Sequence, residues 1–179
     1  MGSERDHVIT GFNLRGKQDL GRKAGEIAVS LLDAKLPKGG THRAVLDPEL
    51  AGVFTHEAVG HASEGDLIRE GASVLGGRIG ERIGCEGLVI VDDPTLHEFG
   101  FMPVDAEGVA VRRTEIIRDG ILTSYLHNRE TLAAVGNGIA GHARAEHGAP
   151  PIVRMSNTFI ENGDATYDEI ISECMDGIL

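Results

Sequence analysis

The sequence predicts an α+β fold: a mixed, largely antiparallel sheet with one functional helix packed on it. Three observations point there. Short β-branched runs and helical runs are interspersed along 179 residues without a repeating order. Arg118-Asp119-Gly120, between the apolar runs Val109–Ile117 and Ile121–Leu126, has the composition of an antiparallel hairpin. With 41% hydrophobic and 25% charged residues, 25 glycines and no tryptophan, the core must be aliphatic and the connections rich in turns.

Residues 1–17 are polar, carry Gly11 and Gly16, and read as an opening segment with one short strand at Val8–Phe12. From Gln18 to Lys35, Leu20, Ala24, Ile27, Ala28, Leu31 and Leu32 recur at helical spacing, and Pro37-Lys38-Gly39-Gly40 ends that helix. Ala44-Val45-Leu46 reads as a short buried strand. Asp47-Pro48 then offers an N-cap with proline at the first helical position, and Glu49 adds a carboxylate to the first turn. That helix is expected over 48–64. A glycine-rich stretch follows Asp66, and Leu88–Val91 reads as a buried strand stopped by Asp92-Asp93-Pro94. The loop with His97 and Phe99-Gly100-Phe101 reads as a lid or an ordinary surface excursion. Asn128 caps a short helix through Ala134, 136–151 reads as a loop, Ile152–Ile160 as a strand, and Asp168–Met175 as a last amphipathic helix. The chain starts without an obvious first element and stops straight out of a helix. It is therefore read as a single partial domain over 1–179, an incomplete domain of a larger protein.

Charge narrows the function classes. Against 17 basic residues stand 28 acidic ones, a net charge of −11 without a Lys/Arg cluster. Such a chain is a poor ligand for nucleic acid or an anionic membrane. No apolar run approaches the roughly 20 residues of a membrane-spanning helix. Cys85 and Cys174 are distant from each other and read as reduced, buried packing residues in a reducing compartment rather than as a disulfide framework.

The chemistry concentrates in His56-Glu57-Ala58-Val59-Gly60-His61-Ala62-Ser63-Glu64-Gly65-Asp66. His-Glu opening an apolar helical run is the start of the H-E-x-x-H zinc helix, where two histidines bind and the glutamate is the base. Here the second histidine comes one residue later. On a regular helix a spacing of five turns the two side chains about 140° apart, too far for two ligands about 2.0–2.1 Å from one ion. A π-bulge would bring them to one face, with Gly60 at the point where the backbone must give. The alternatives are a distorted helix carrying a metal, or two solvated histidines without a shared site. Glu64, one turn beyond His61, is placed to accept a hydrogen bond from a ligand imidazole, and Asp66 is a weaker candidate for the same role. His142 and His147 repeat the spacing in a loop, where it has no angular meaning, and read as a substrate-contacting or solvated loop rather than as a second metal site. Arg154 and Asn157 interrupt an apolar strand; an arginine there pairs with a core carboxylate or holds a substrate carboxyl group.

Taken together, Val-Leu-Asp-Pro-Glu-Leu-Ala-Gly (45–52), the 56–66 block, Val-Asp-Asp-Pro (91–94), Tyr-Leu-His-Asn-Arg-Glu-Thr (125–131) and Arg-Met-Ser-Asn-Thr (154–158) resemble the TldD/PmbA family, on its TldD-like side. The resemblance implies a cytoplasmic zinc-dependent peptidase acting on unfolded or short peptides, working with a PmbA-like paralogous subunit or as a homo-oligomer. It implies His56 and His61 as Zn2+ ligands and Glu57 as the residue that activates water, on a metal-binding helix over 48–64. The family's third ligand, a cysteine well downstream, falls beyond this chain, and neither Cys85 nor Cys174 stands at its place. The chain thus resembles the central part of a TldD-like protein. Alone, it is expected to hold zinc weakly and to be inactive, with Asp66, His97 and Cys85 as the first stand-in ligands to test. Two rival functions remain: a non-catalytic peptide-binding or partner subunit, and a zinc hydrolase acting on non-peptide amides.

Overall fold

The computed structural model describes residues 1–6, 15–36, 38–174 and 177–178. The strand expected at Val8–Phe12, the helix stop at Pro37 and the helix end at Met175 lie outside those residues. The chain divides into two compact units, Met1–Arg43 and Ala44–Leu179.

The first unit holds α1 (Leu20–Ser30), followed by a 3-10 turn over Leu31–Asp33. The helix is shorter than the expected 18–35 because Ala34 already turns extended, at ψ 132°. The second unit carries α2 (Pro48–Thr55), α3 (Gly65–Arg69), β1 (Ile90–Asp92), β2 (Thr114–Arg118), β3 (Ile121–Leu122), β4 (Tyr125–His127), α4 (Arg129–Val135), β5 (Gly138–Ala140), β6 (Ala143–Arg144), β7 (Ile152–Val153), β8 (Thr158–Ile160) and α5 (Tyr167–Glu173). The main sheet is antiparallel throughout, in the order β3-β2-β1-β8; β4 and β5 form a parallel pair, and β6 and β7 an antiparallel one. The predicted α+β class with largely antiparallel strand pairing is thus the one observed, the one parallel pair forming a separate sheet, and α2 packs against β8.

The hairpin forms where expected. Asp119 and Gly120 both adopt positive φ (50° and 73°), as a turn matching the right-handed twist of its strands requires. A side chain at Gly120 would also meet the Cys85 carbonyl at 2.3 Å. The second arm, however, stops at Leu122 instead of continuing to Leu126. Thr123 and Ser124 both donate their N–H to the Ile116 carbonyl, which ends the ladder and redirects the chain into β4.

Several long strands read from the sequence are shorter or displaced. The expected buried strand at 44–46 is a single bridge from Ala44 to Ile178, and Leu46 is exposed. The strand expected at 88–91 begins at Ile90, because Leu88 is tied into a turn on the Cys85 carbonyl. Of 109–117 only the end is strand; the Asp105 carboxylate takes the Glu107 and Val109 amides and holds that region as a turn. The supposed loop 136–151 contains β5 and β6. The strand expected over 152–160 is split into β7 and β8; between them the Ser156 amide is taken by the Asp92 side chain, and the Asn157 side chain donates to the Asp93 carbonyl.

Both predicted caps are present. Asp47 accepts the Leu50 amide at 2.7 Å, and Asn128 forms a reciprocal capping box with Thr131. The core is built from Leu75, Ile90, Ile116, Ile117, Leu122, Tyr125, Leu126, Val153 and Met155, with Val59 and Ala62 packed against it. Those last two residues fasten the functional segment to the sheet.

Candidate metal centre

The segment after α2 does not continue as a regular helix. It widens to π geometry over His56–Gly60 and tightens to a 3-10 turn over His61–Ser63. The His61 N–H donates to the His56 carbonyl, the i→i+5 bond that makes five residues about one turn. The two imidazoles are thereby brought together, with ring centroids 4.7 Å apart and planes at 82°. Of the alternatives left open by the spacing, the distorted helix is the one present.

The reason for Gly60 differs from the one expected. Its φ of −56° and ψ of −61° suit any residue, so backbone freedom is not what the position needs. A Cβ there would lie 1.9 Å from the Met155 sulfur. Glycine is required because the core side chain of Met155 presses against the π turn. Gly65 is constrained similarly, by the Leu126 carbonyl at 2.8 Å and the His127 ring at 2.3 Å. The apolar flank also departs from expectation: Leu50, Val53 and Phe54 are 53–59% exposed, and within α2 only Thr55 is buried.

Among the described residues, His56, Glu57 and His61 are the single group of three potential metal ligands, with their ligand atoms all within 4.8 Å of one another. A tetrahedral zinc ion with bonds of about 2.0–2.1 Å sets its ligand atoms about 3.3–3.4 Å apart, so small side-chain rotations would close the remaining gap. Two imidazoles and a carboxylate also match the borderline character of zinc. The donor set therefore fits a metal ion. Cys85, His97 and Asp66 are not in the group. Cys85 is exposed, His97 stacks edge-on against Phe101 at 4.3 Å, and Asp66 takes the amides of Leu67 and Val153.

Behind His61 lies Glu64, 1% exposed. Its Oε1 lies 3.2 Å from His61 Nδ1, and Arg154 Nη1 donates to both carboxylate oxygens at 3.0 and 2.9 Å. Burial pushes the Glu64 carboxyl above its ordinary range, while Arg154 and His61 oppose that shift. Of the two readings of Arg154, pairing with a core carboxylate is the observed one. Asn157 staples the 93–100 loop, donating to the Asp93 and Leu96 carbonyls and accepting the Gly100 amide.

The anchor for this segment is Asp92, which sequence reading took only as a strand stop. It is fully buried, and its carboxylate takes the Ser156 amide at 2.8 Å, the Ser156 hydroxyl at 2.6 Å and the Thr158 hydroxyl at 2.7 Å. A carboxylate directly after an apolar run, with hydroxyl residues far downstream, was the available signal. His142 sits in the same buried network. It is 1% exposed, accepts the His127 amide at Nδ1 and lies 3.4 Å from the Thr114 hydroxyl and 3.7 Å from Asp92. It is a structural histidine, not a solvated one.

A family profile described as the PmbA/TldA metallopeptidase C-terminal domain matches residues 39–179. A metalloprotease of Methanothermobacter thermautotrophicus is 48% identical over 171 residues, covering 94% of this chain and 38% of that protein. The zinc metalloprotease TldD homolog of Saccharolobus solfataricus is 36% identical over 152 residues, covering 83% of this chain and 34% of its own length. The chain therefore spans little more than a third of the length of these relatives. Among solved structures, TldE from Thermococcus kodakarensis superposes with a TM-score of 0.67 at 20% identity, covering 87% of this chain and 36% of that one. A Thermotoga maritima protein described as a candidate modulator of DNA gyrase gives 0.74 at 24% identity, covering 88% and 36%. At these identities the two structures speak to the fold alone.

Proposed function

The chain belongs to the PmbA/TldD metallopeptidase family, and on that premise we propose that it carries the catalytic helix of a zinc-dependent peptidase acting on unfolded or short peptides. The observation that supports this most is the π turn, which gathers His56, Glu57 and His61 into one donor cluster. His56 and His61 hold the ion, and a third ligand comes from outside the described residues. Bound there, zinc supplies a water acidified toward neutrality and polarises the scissile carbonyl.

The residues of this chain do the rest. Glu57, exposed beside the first ligand, takes a proton from the attacking water as its oxygen bonds to the carbonyl carbon. It passes that proton to the nitrogen as the C–N bond breaks, giving a free carboxylate and an amine. A paralogous subunit of the same fold is the proposed partner, supported by the sequence resemblance and the fold shared with TldE. A cytoplasmic setting is supported by Cys85 and Cys174, neither of which is joined in a disulfide among the described residues. No helix among the described residues is long and apolar enough to cross a membrane.

The test is Glu57→Gln in a full-length protein carrying this chain. Zinc should stay at wild-type stoichiometry while hydrolysis of an unfolded peptide falls by about 10²–10⁴-fold. Undiminished turnover would remove Glu57 from the proton path.

A further inference from the structure

We propose that Arg154 is a positioning residue for the metal centre: it locks Glu64, and Glu64 in turn fixes the ring orientation and tautomer of His61. This rests on the reading of His61 as a metal ligand. Three short spacings link these groups. Arg154 Nη1 sits 3.0 and 2.9 Å from the two Glu64 oxygens, and Glu64 Oε1 sits 3.2 Å from His61 Nδ1. An ionised carboxylate only accepts hydrogen bonds. The His61 nitrogen facing it must therefore carry the proton, leaving the Nε2 lone pair for the metal.

Glu64 could not hold that place by itself. Its side chain is 1% exposed, and a buried carboxylate with a single imidazole partner is poorly compensated. Arg154 supplies the second partner while also donating to its neighbour's carbonyl, Val153, at 3.3 Å. Its own place is set from two sides. The Arg154 amide is bonded to the His142 carbonyl at 2.9 Å, and two residues on, Ser156 is held by Asp92. The relay thus ties the metal helix to the end of β1, 90 residues from Arg154 to Glu64 notwithstanding. Nη1 is committed to Glu64, and the measurements below separate this role from capture of a substrate carboxyl group.

Two measurements distinguish the outcomes. In the isolated chain without metal, ¹⁵N spectra of the imidazoles report which His61 nitrogen is protonated. Wild type should show Nδ1–H, and Arg154→Met should shift His61 toward a mixture of tautomers. In a full-length protein, zinc competition with a chelator should show affinity reduced about 10–100-fold in Arg154→Met, with partial recovery in Arg154→Lys. Should Arg154→Met fail to fold with Glu64 unpaired, the pair of variants Glu64→Gln and Glu64→Gln/Arg154→Met answers the same question. Adding Arg154→Met to Glu64→Gln should weaken zinc no further, because the arginine acts through the carboxylate. An additional tenfold loss in that background overturns the proposal. So does an unchanged His61 tautomer, or a rise in KM confined to peptides with a free C-terminal carboxylate. Failure of the family reading would appear differently: wild type itself would bind no zinc, while the His61 tautomer would still depend on Arg154.

Discussion

Replacing Gly60 by alanine tests the packing account of the π turn, because two effects act on it with opposite signs. Helix propensity alone favours alanine over glycine by about 0.8–1 kcal/mol, and φ of −56° presents no backbone obstacle. If the turn needed only a helical residue, Gly60→Ala would stabilise the chain. Against this, the new Cβ would lie 1.9 Å from Met155 Sδ, 3.2 Å from its Cγ and 3.4 Å from its Cε. Met155 is 5% exposed within the core, so its side chain cannot swing away without displacing neighbours. Overpacking of this kind costs about 1–3 kcal/mol, leaving a net destabilisation of up to roughly 2 kcal/mol. At this chain length that lowers Tm by up to about 8 °C.

The control is the Met155→Ala background, which is itself less stable by about 2–5 kcal/mol but removes the obstacle. There Gly60→Ala should turn stabilising by up to about 1 kcal/mol. Urea denaturation of the four proteins reads the reversal directly. The same sign in both backgrounds would refute the argument that Met155 is why position 60 is glycine.

Acid should destabilise the fold through His127 and His142. Burial lowers both pKa values below the ordinary 6.5, only partly offset for His142 by Asp92 and Asp105 and for His127 by the Gly136 carbonyl. The unfolded chain then binds more protons than the folded one below about 6.5. Stability is complete above that pH and falls as pH drops through it, so urea midpoints should decline from pH 7 to pH 5, with a shallower slope in His142→Gln. An unchanged slope in that variant would exclude His142 as a source. The isolated 179-residue chain should bind zinc weakly and cleave no peptide, because a catalytic zinc ordinarily has three protein ligands and, with Glu57 acting as the base, only His56 and His61 of the converging group among the described residues are left to hold the ion. Metal stoichiometry after gel filtration, run beside a peptide-cleavage assay, checks both; tight one-to-one zinc with turnover would place a third ligand within this chain.

Signals that act over a few residues were legible. Asp47-Pro48 and Asn128 cap their helices as read, because a cap is a contact between residues three apart. Asp119-Gly120 makes the hairpin for the same reason, its positive φ values being a property of those two residues. The H-E-x-x-x-H spacing even specified the kind of distortion needed, since helical geometry converts spacing into angle. Strand lengths were not legible in this way. An apolar run such as Ile152–Ile160 shows where a strand is possible, but not that it splits into β7 and β8, with the Asp92 side chain taking the Ser156 amide between them.

By itself, then, the sequence determined the α+β class, the capped helix starts and the presence of a metal-type donor set on one helix. The tertiary structure decided which groups support that set. Arg154 reaches Glu64 across 90 positions, and Asp92 reaches Ser156 across 64. Met155 imposes glycine on the π turn through packing rather than through the backbone. Such partners have no periodicity or fixed offset linking them along the chain; burial forces each polar group to find a hydrogen bond, but which group supplies it is settled only when the sheet has brought the distant segments together.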